Sequence, residues 1–348
     1  MIRIMKMPQS AARRLWQAGF PEDSDAFFES YRDLRSVEEY TLALCADDMW
    51  CAGLHIIPQT LCIRNTNILS GMVAGVATEP SCRKRGYAGR LMRAAGQLMR
   101  EHGIALAVLD PFRESFYEPF GYRTGTVYQD KICDTAKMCP IRETEDTELL
   151  NNMYCAGIKG YSGYAARTPR DWAFRMRDAQ LDGAKAYVTH SAYAIAKEED
   201  DCIRVWEYLG WDEASRQALL MGLCEKFGKP VHYSEPVALG DADTRHGAMY
   251  CPLDIETLLT QIPAQGEHTV KLCITQDETV KRIVITASGG RALVSSHEDS
   301  ACTIDAGELF LILLGARDAR DVDSLDFDTA DTLSKMYPVC KTLLFEQY

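Results

Sequence analysis

Apolar residues near the start of the chain recur at helical spacing. Over residues 10–44 this pattern predicts helices, with a break at 21–24 where Ser24 is a candidate N-cap. Further on, an amphipathic stretch that stops at Gly103 predicts a helix over 87–101. The other predicted elements are strands near 49–57, 60–64, 68–78, 104–109 and 122–132, and a short helix over 115–120. The pattern therefore predicts one α/β unit with mixed strands, which ends near residue 140.

Two more units follow. The second, residues 141–248, repeats the order strand, strand, helix, strand, but the loop at 210–213 has two acidic residues and no basic one. The third, residues 249–348, has four short strands between helices. The helices are predicted at 149–159, 169–177, 212–227, 253–261, 306–314 and 328–336. The strands are predicted at 184–196, 203–209, 231–234, 268–276, 279–287, 291–295 and 301–305.

One segment of the first unit has the features of a phosphate site. A strand ends at Thr78, a turn with Pro80 follows, and the basic loop 83–90 then leads into the helix. The free backbone N–H groups at a helix N-terminus attract anions. Gly86 has no Cβ, so the backbone can approach a phosphate closely. The segment therefore predicts a pyrophosphate site.

Composition restricts the function further. The net charge of −12 disfavours nucleic acid as a partner and weakly favours cationic small molecules. The 13 cysteines show no regular spacing, which argues against a disulfide framework or a zinc site and favours a cytoplasmic protein. We expect no signal peptide, because the first residues lack an apolar region, and no membrane span, because the longest apolar run, 309–314, is too short.

Two motifs connect these features to a known family. The spacing Arg83-x-x-Gly86-x-Ala88 resembles the acetyl-CoA signature of the GCN5-related N-acetyltransferase (GNAT) superfamily, and 116–122 resembles that superfamily's later F-Y-x-x-x-G-[FY] motif. The three-unit layout is similar to the Eis (enhanced intracellular survival) type. The resemblance implies an α/β (α+β) fold: a catalytic GNAT domain at 1–140, a degenerate GNAT-like domain at 141–248 and a sterol-carrier-protein-like domain at 249–348.

The resemblance also implies a reaction and a set of site residues. Acetyl-CoA would be the co-substrate, with no metal, and the acetyl group would pass to a primary amine of an aminoglycoside- or polyamine-like small molecule or to a lysine. Tyr122 would be the general acid and the terminal carboxylate of Tyr348 the general base. A ring-like homo-oligomer, such as a hexamer, is implied as well. The cofactor-binding residues would be Val76, Ala77, Thr78, Arg83, Lys84, Arg85, Gly86, Tyr87, Ala88, Gly89 and Tyr117.

The chemistry is consistent with this set of residues. An alkyl amine has a pKa near ~10.4, so a base or a desolvated pocket must provide its neutral form. A phenol can protonate the leaving thiolate, and no covalent nucleophile is needed. The chain accordingly lacks a G-x-S-x-G elbow and a P-loop.

Several alternatives stay open at this stage. Glu346 is a second candidate base. The aromatic residues of the first helices could line an acceptor pocket, although core packing is favoured, and the acidic residues near them are expected to form a solvated face. A non-catalytic acetyl-CoA or lipid binder and an acyltransferase for longer acyl-CoA are the alternative functions.

Overall fold

The computed structural model describes residues 1–277, 279–298 and 301–346. The helices are α1 Gln9–Gly19, α2 Asp25–Leu34, α3 Tyr87–Glu101, α4 Glu114–Tyr117, α5 Thr147–Gly157, α6 Pro169–Leu181, α7 Glu213–Phe227, α8 Ile255–Gln261, α9 Ala306–Leu314 and α10 Phe327–Met336. The first strands are β1 Ile2–Lys6, β2 Thr41–Ala46, β3 Met49–Ile63, β4 Thr66–Thr78, β5 Leu106–Leu109, β6 Arg123–Thr124, β7 Val127–Cys133, β8 Arg142–Thr144, β9 Tyr161–Ser162 and β10 Tyr164–Ala165. The later strands are β11 Ala184–Val188, β12 Ala192–Glu198, β13 Ile203–Gly210, β14 Val231–Val237, β15 Arg245–His246, β16 Met249–Pro252, β17 His268–Gln276, β18 Thr279–Ser288, β19 Arg291–Ser296, β20 Cys302–Asp305 and β21 Lys341–Thr342.

Three mixed sheets organise the chain. The first has the order β1-β2-β3-β4-β5-β16-β6, with β10 added beside β3. The second has the order β15-β7-β14-β13-β12-β11-β8, and the third β19-β18-β17-β20. Helix α3 packs on one face of the first sheet and α1 on the other, whereas α5 and α6 cover one face of the second sheet and α7 covers the opposite face. The α/β fold with several mixed sheets is therefore confirmed.

The strand pairing crosses the unit boundaries expected from the sequence. The sequence assigns 127–133 to the first unit, but β7 pairs with β14 and β15 in the second sheet. Conversely β16, expected in the third unit, pairs with β5 and β6 in the first sheet. An apolar run shows that a segment is a buried strand but not which strand it pairs with, so this exchange could not be read from the pattern.

The local predictions are mostly confirmed. The predicted strands at 122–132 and 184–196 are each two strands, β6 with β7 and β11 with β12, and two more corrections concern the first sheet. The side chain of Ser24 caps α2 by accepting a hydrogen bond from the Phe27 N–H at 3.1 Å. Helix does not continue to residue 44, because 41–46 is a fully buried strand. The expected break between 57 and 60 is absent, since Pro58 lies inside β3. Pro58 is tolerated there because it lies beyond Thr41↔His55, the last pair between β2 and β3, so its missing N–H removes no bond to β2.

Helix α9 joins the third sheet to the first. Eight of its nine residues are buried, with Glu308 as the exception, which is the pattern of a helix enclosed on all sides. The ring of Phe310 lies 5.8 Å from that of Tyr250 in the first sheet. A Cβ at Gly125 would come within 2.8 Å of Leu314, so this glycine allows the close approach. Within the described ranges, the helices are all too short or too polar to cross a bilayer.

A buried ion network holds the last described residues against the second sheet. Arg167 binds both oxygens of Glu207 at 2.6 and 2.8 Å and donates to Glu346 at 2.8 Å. Tyr193 and Arg175 also contact Glu207. Burial would raise the pKa of the Glu207 carboxyl, but the two guanidinium groups outweigh it and lower that pKa to about 2. The network therefore stabilises the folded state only while Glu207 is ionised.

We predict that Glu207→Gln destabilises the protein by about 3 kcal/mol at pH 7, because two buried guanidinium groups lose their shared carboxylate. The pKa of Glu207 is lower in the folded than in the unfolded state. Its contribution is therefore complete above the ordinary pKa of about 4.5 and is lost as the pH falls towards 2. Thermal unfolding at pH 7 and at pH 3 measures both effects. Glu199→Gln, which removes an exposed partner of Arg204, is the control and should leave the midpoint nearly unchanged. Equal stability of E207Q and wild type at pH 7 would contradict the prediction.

Candidate active site

A cleft opens where two neighbouring strands of the first sheet separate. Strands β4 and β5 pair in parallel only from Ser70↔Leu106 to Met72↔Val108, although β4 continues to Thr78. The register between β3 and β4 shifts between Gly53 and His55, so one extra residue lies in β4. Such a bulge bends a strand and increases its twist. The backbone groups of 73–78 that face β5 are consequently left without a strand partner.

The extra residue is made possible by Gly75. Its φ is +60°, in the left-handed region that glycine adopts at little cost. A Cβ at this position would also lie 2.6 Å from the ring of Trp16, which packs against the strand from α1. Only glycine therefore fits both the backbone conformation and the packing.

The cleft has a volume of about 780 Å³. Its walls are the separated part of β4, the end of α1 at Gly19 and Phe20, and the segment from Asp110 to Tyr117. Seven of the residues predicted to bind the cofactor line it together: Val76, Ala77, Thr78, Arg83, Lys84, Ala88 and Tyr117. The structure thus places residues from two distant motifs around one cavity.

The N-terminus of α3 is open at the edge of this cleft. Gly86 is the N-cap residue, with φ +73°, and α3 has no side-chain cap. A Cβ at Gly86 would find no atom within 4 Å. The first intrahelical bond runs from the Arg90 N–H to the Gly86 carbonyl, so the N–H groups of 87–89 have no intrahelical acceptor. This arrangement suits a phosphate group.

The basic residues of the loop have different roles. The Arg83 guanidinium donates to the carbonyls of Thr78 and Ala18 at 3.2 and 3.1 Å, so Arg83 fastens the loop to β4 and α1. Lys84, which has φ +62°, is exposed and lines the cleft. The Tyr87 hydroxyl beside Arg85 raises the pKa of that guanidinium. Lys84 is therefore the side-chain cation best placed for an anion in the cleft.

The remaining predicted residues of the loop support packing. Tyr87 is buried against the α3 face of the first sheet. At Gly89 a Cβ would lie 3.2 Å from the ring of Phe120, so glycine leaves room for that ring against α3. These contacts join the helix start to the second motif.

The two tyrosines of the second motif occupy different positions. Tyr117 lines the cleft, and burial together with the Asp110 carboxylate raises its pKa to about 12. Tyr122, the predicted acid, is buried behind it with 6.1 Å between the ring centroids and is not among the cleft-lining residues. Burial also raises the pKa of Tyr122 well above its ordinary value. Both phenols thus keep their protons at neutral pH, but only Tyr117 faces the cavity.

Asp110 is a cleft residue that the sequence analysis missed. Its pKa is raised by burial, and the nearby Arg245 guanidinium opposes that rise. It directly follows β5, and polar groups at the carboxyl ends of parallel strands commonly face a binding crevice. The first polar residue after the apolar run 104–109 was the available signal.

The two predicted bases have different outcomes. Tyr348 lies outside the described residues, so its role stays a prediction. Glu346 is buried with its carboxylate on Arg167 and does not line the cleft. Arg167 holds this carboxylate away from the cleft, so Glu346 is not positioned to accept a proton from a substrate there.

Most of the aromatic residues of α1 and α2 belong to the hydrophobic core, as the sequence analysis favoured. Trp16, Phe28 and Tyr31 are buried, and only Phe20 also reaches the cleft. Asp23 accepts a hydrogen bond from the Trp16 indole at 2.8 Å, so its side chain lies partly buried at the edge of this aromatic cluster. The other acidic side chains nearby form the expected solvated face, with Asp25 paired to Arg13.

Comparison with known proteins shows what the first part of the chain and the whole fold are similar to. Residues 6–125 match the family model of the acetyltransferase (GNAT) domain. Over the full length of both chains, the fold is similar to a GCN5-related N-acetyltransferase of Anabaena variabilis (TM-score 0.86, 14% identity) and to a conserved protein of Enterococcus faecalis (0.85, 16%). It is also similar to Eis1 of Mycobacterium abscessus (0.81, 14%), again over 100% of each chain. No curated protein matches the chain in sequence.

We predict that Gly86→Glu weakens acetyl-CoA binding at least about 30-fold. The new carboxylate would stand beside a pyrophosphate, and like charges in contact cost several kcal/mol. Isothermal titration calorimetry with acetyl-CoA measures the effect. Gly103→Glu is the matched control, because Gly103 follows the other end of α3, has φ +70° and likewise would have no atom within 4 Å of an added Cβ. It therefore carries the same backbone strain. Unchanged affinity in G86E, or equal losses in both variants, would refute the site.

Proposed function

We propose that this protein, whose residues 6–125 match the acetyltransferase (GNAT) domain model, transfers an acetyl group from acetyl-CoA directly to a primary amine of a small molecule or of a lysine. One observation carries the proposal. The separated part of β4 and the open N-terminus of α3 meet in a single cleft, next to a protonated tyrosine. A strand with free backbone groups and an anion site are what a pantetheine arm and its pyrophosphate need.

The cofactor lies along β4 in this proposal. The pyrophosphate accepts hydrogen bonds from the backbone N–H groups at the start of α3, and Lys84 adds a charge-assisted donor. The pantetheine arm replaces the missing strand beside 73–78, where its amides bind those backbone groups of Val76, Ala77 and Thr78 that face away from β3. The Thr78 carbonyl is not among them, because it accepts a hydrogen bond from Arg83. The thioester then lies near the point where β4 and β5 diverge. Arg83 supports this placement because it fixes the loop to Thr78.

The reaction needs two proton transfers. The neutral amine attacks the thioester carbonyl, the C–N bond forms, and the resulting oxyanion is stabilised by backbone N–H groups. The C–S bond then breaks, and a phenol protonates the departing thiolate. Tyr117 is the better placed donor because it faces the cleft, whereas Tyr122 reaches it only through Tyr117.

A carboxylate takes the proton from the amine. The Tyr348 carboxylate keeps the role that the resemblance implies for it. Asp110 is the carboxyl group that lines the cleft, and its raised pKa brings it closer to that of an effective base. Desolvation of the amine in the closed cleft would lower the amine pKa and assist either group.

The finer assignment is also a proposal. We place the protein with Eis-type acetyltransferases: a degenerate GNAT domain follows the catalytic one, the third sheet belongs to a sterol-carrier-protein-like domain, and the assembly is a cytoplasmic homo-oligomer. The likeness to Eis1 over the whole of both chains supports the three-unit layout. The free state of all 13 cysteines agrees with a reducing compartment.

We predict that acetyl-CoA is hydrolysed only slowly by the protein alone, and that free CoA appears rapidly when a suitable primary amine is added. The measurement is thiol release with a panel of polyamines, aminoglycosides and free lysine, with mass spectrometry of the acetylated product. Saturable acetyl-CoA binding without amine-dependent release would indicate a non-catalytic binder. Stronger turnover with a long acyl-CoA would indicate an acyltransferase of different donor specificity.

We predict that Tyr117→Phe lowers kcat by about 10²–10⁴-fold with little change in acetyl-CoA affinity, because it removes a general acid. Tyr122→Phe is the matched comparison and should cost much less, since its hydroxyl is buried behind Tyr117. Initial rates and acetyl-CoA titrations of both variants decide between them, and thermal melts check that both fold. A larger loss in Y122F would assign the proton to Tyr122 instead.

A further inference from the structure

A second cavity, of about 720 Å³, lies between the second sheet, α6 and the last described segment of the chain. Its walls include Tyr128 and Asp130 of β7, Trp206 of β13, Arg175 and Asp178 of α6, and Phe345. Arg245 of β15 forms its remaining corner. None of the predicted cofactor residues lines this cavity. Its lining residues are therefore candidates for binding the acceptor rather than the cofactor.

The charges of this cavity contrast with those of the whole protein. Four basic side chains line it, Lys131, Arg175, Arg204 and Arg245, against two acidic ones, Asp130 and Asp178. The chain as a whole carries a net charge of −12. A local excess of positive charge in a concave site attracts anionic groups.

Three of these four cationic side chains already form close ion pairs with carboxylates. Arg175 contacts Glu207 at 3.2 Å, Arg204 contacts Glu199 at 2.9 Å, and Lys131 forms an ion pair with Glu235. Their charges are largely compensated by these carboxylates. Lys131 and Arg204 therefore have little capacity for a further anion, and Arg175 retains only its buried Nε–H without a partner.

Arg245 is different. Within the described part of the chain, its nearest carboxylate is Asp130 at 3.8 Å, and its hydrogen bond to the Ser234 hydroxyl is long, at 3.5 Å. Its guanidinium lies over the ring of Tyr128 at 5.3 Å from the centroid, and its side chain is 48% exposed. A cation–π contact with an aromatic ring orients a guanidinium without occupying its N–H donors. Arg245 therefore presents donors that can bind a ligand.

Strand β15 contacts the surroundings of both cavities. Arg245 lines the second one, and the side chain of the next residue, His246, contacts Glu114 of α4, whose Tyr117 lines the candidate cofactor cleft. The pairing of Arg245 with Tyr128 at the edge of the second sheet fixes this position. The guanidinium is thus held in the second cavity, one residue from the contact between β15 and the helix that borders the cleft.

We propose that Arg245 binds a carboxylate of the acceptor, so that the preferred substrates are amines that also carry a carboxylate, such as amino acids, rather than simple polyamines. This inference rests on the proposed function and specifies its acceptor class. The guanidinium presents paired N–H donors that match a carboxylate in a bidentate geometry. The amine is then directed to the cleft while the carboxylate stays in the second cavity.

The test compares lysine with 1,5-diaminopentane, which is lysine without its carboxylate. In wild type we expect kcat/KM for lysine to exceed that for the diamine by roughly 10–100-fold, the value of a hydrogen bond to a charged group. Arg245→Gln should reduce this ratio to about 1, and Arg245→Lys should restore part of it. Arg204→Gln is the matched control, because it removes another cavity arginine that is already paired, and it should keep the wild-type ratio.

Direct binding separates this inference from the proposed function. Calorimetry with lysine and with the diamine, in the presence of CoA, needs no turnover. Weaker lysine binding in R245Q, with lysine and diamine then similar, supports the proposal even if the rates are low. A wild-type enzyme that binds or acetylates both amines equally, or an R245Q variant that keeps the preference for lysine, would overturn it and leave the acetyltransferase proposal intact. If added amine did not increase the release of CoA although acetyl-CoA still bound, this result would instead contradict the proposed function.

Discussion

The separation of β4 from β5 is the constraint on which the candidate site depends. A continuous parallel pair would satisfy its own backbone groups and leave nothing for a ligand. The extra residue at Gly75 prevents this, and it is held by the indole of Trp16 and the imidazole of His55. Burial lowers the pKa of His55 to about 4, so the ring stays neutral within this support. The cleft is thus maintained by the packing of α1 and His55 against β4.

The three units of the chain exchange strands and pack against one another. The first sheet contains a strand from after the second unit, and the second sheet contains a strand from the end of the first. Helix α9 then fills the space between the first and third sheets, while the final segment lies on the second sheet, held by Arg167. Because the units share strands and buried ion pairs, each unit taken alone would lack part of the structure described here.

The two cavities differ in the charged groups that line them. The candidate cofactor cleft combines the helix N-terminus and Lys84 with the half-buried carboxyl of Asp110, so it suits a phosphate at one end and proton transfer at the other. The second cavity gathers arginines from strands and a helix that are far apart in sequence, in a chain that is acidic overall. Net charge alone pointed towards cationic acceptors, whereas the position of Arg245 is the basis on which we propose an acceptor with an anionic group.

The sequence by itself determined most of the elements and the open loop before α3 that we propose binds phosphate. Helix α3 begins and ends where the pattern predicts, and Gly86 opens it, because periodicity and turn chemistry are local properties. The tertiary structure alone decided that β7 and β16 exchange sheets, that Tyr117 rather than Tyr122 faces the cleft, and that Arg245 lies beside Tyr128 in the second cavity. These depend on strand partners and on the direction of side chains at the end of a sheet. The strand exchange and the approach of Arg245 join residues about a hundred or more positions apart, and no local pattern encodes them.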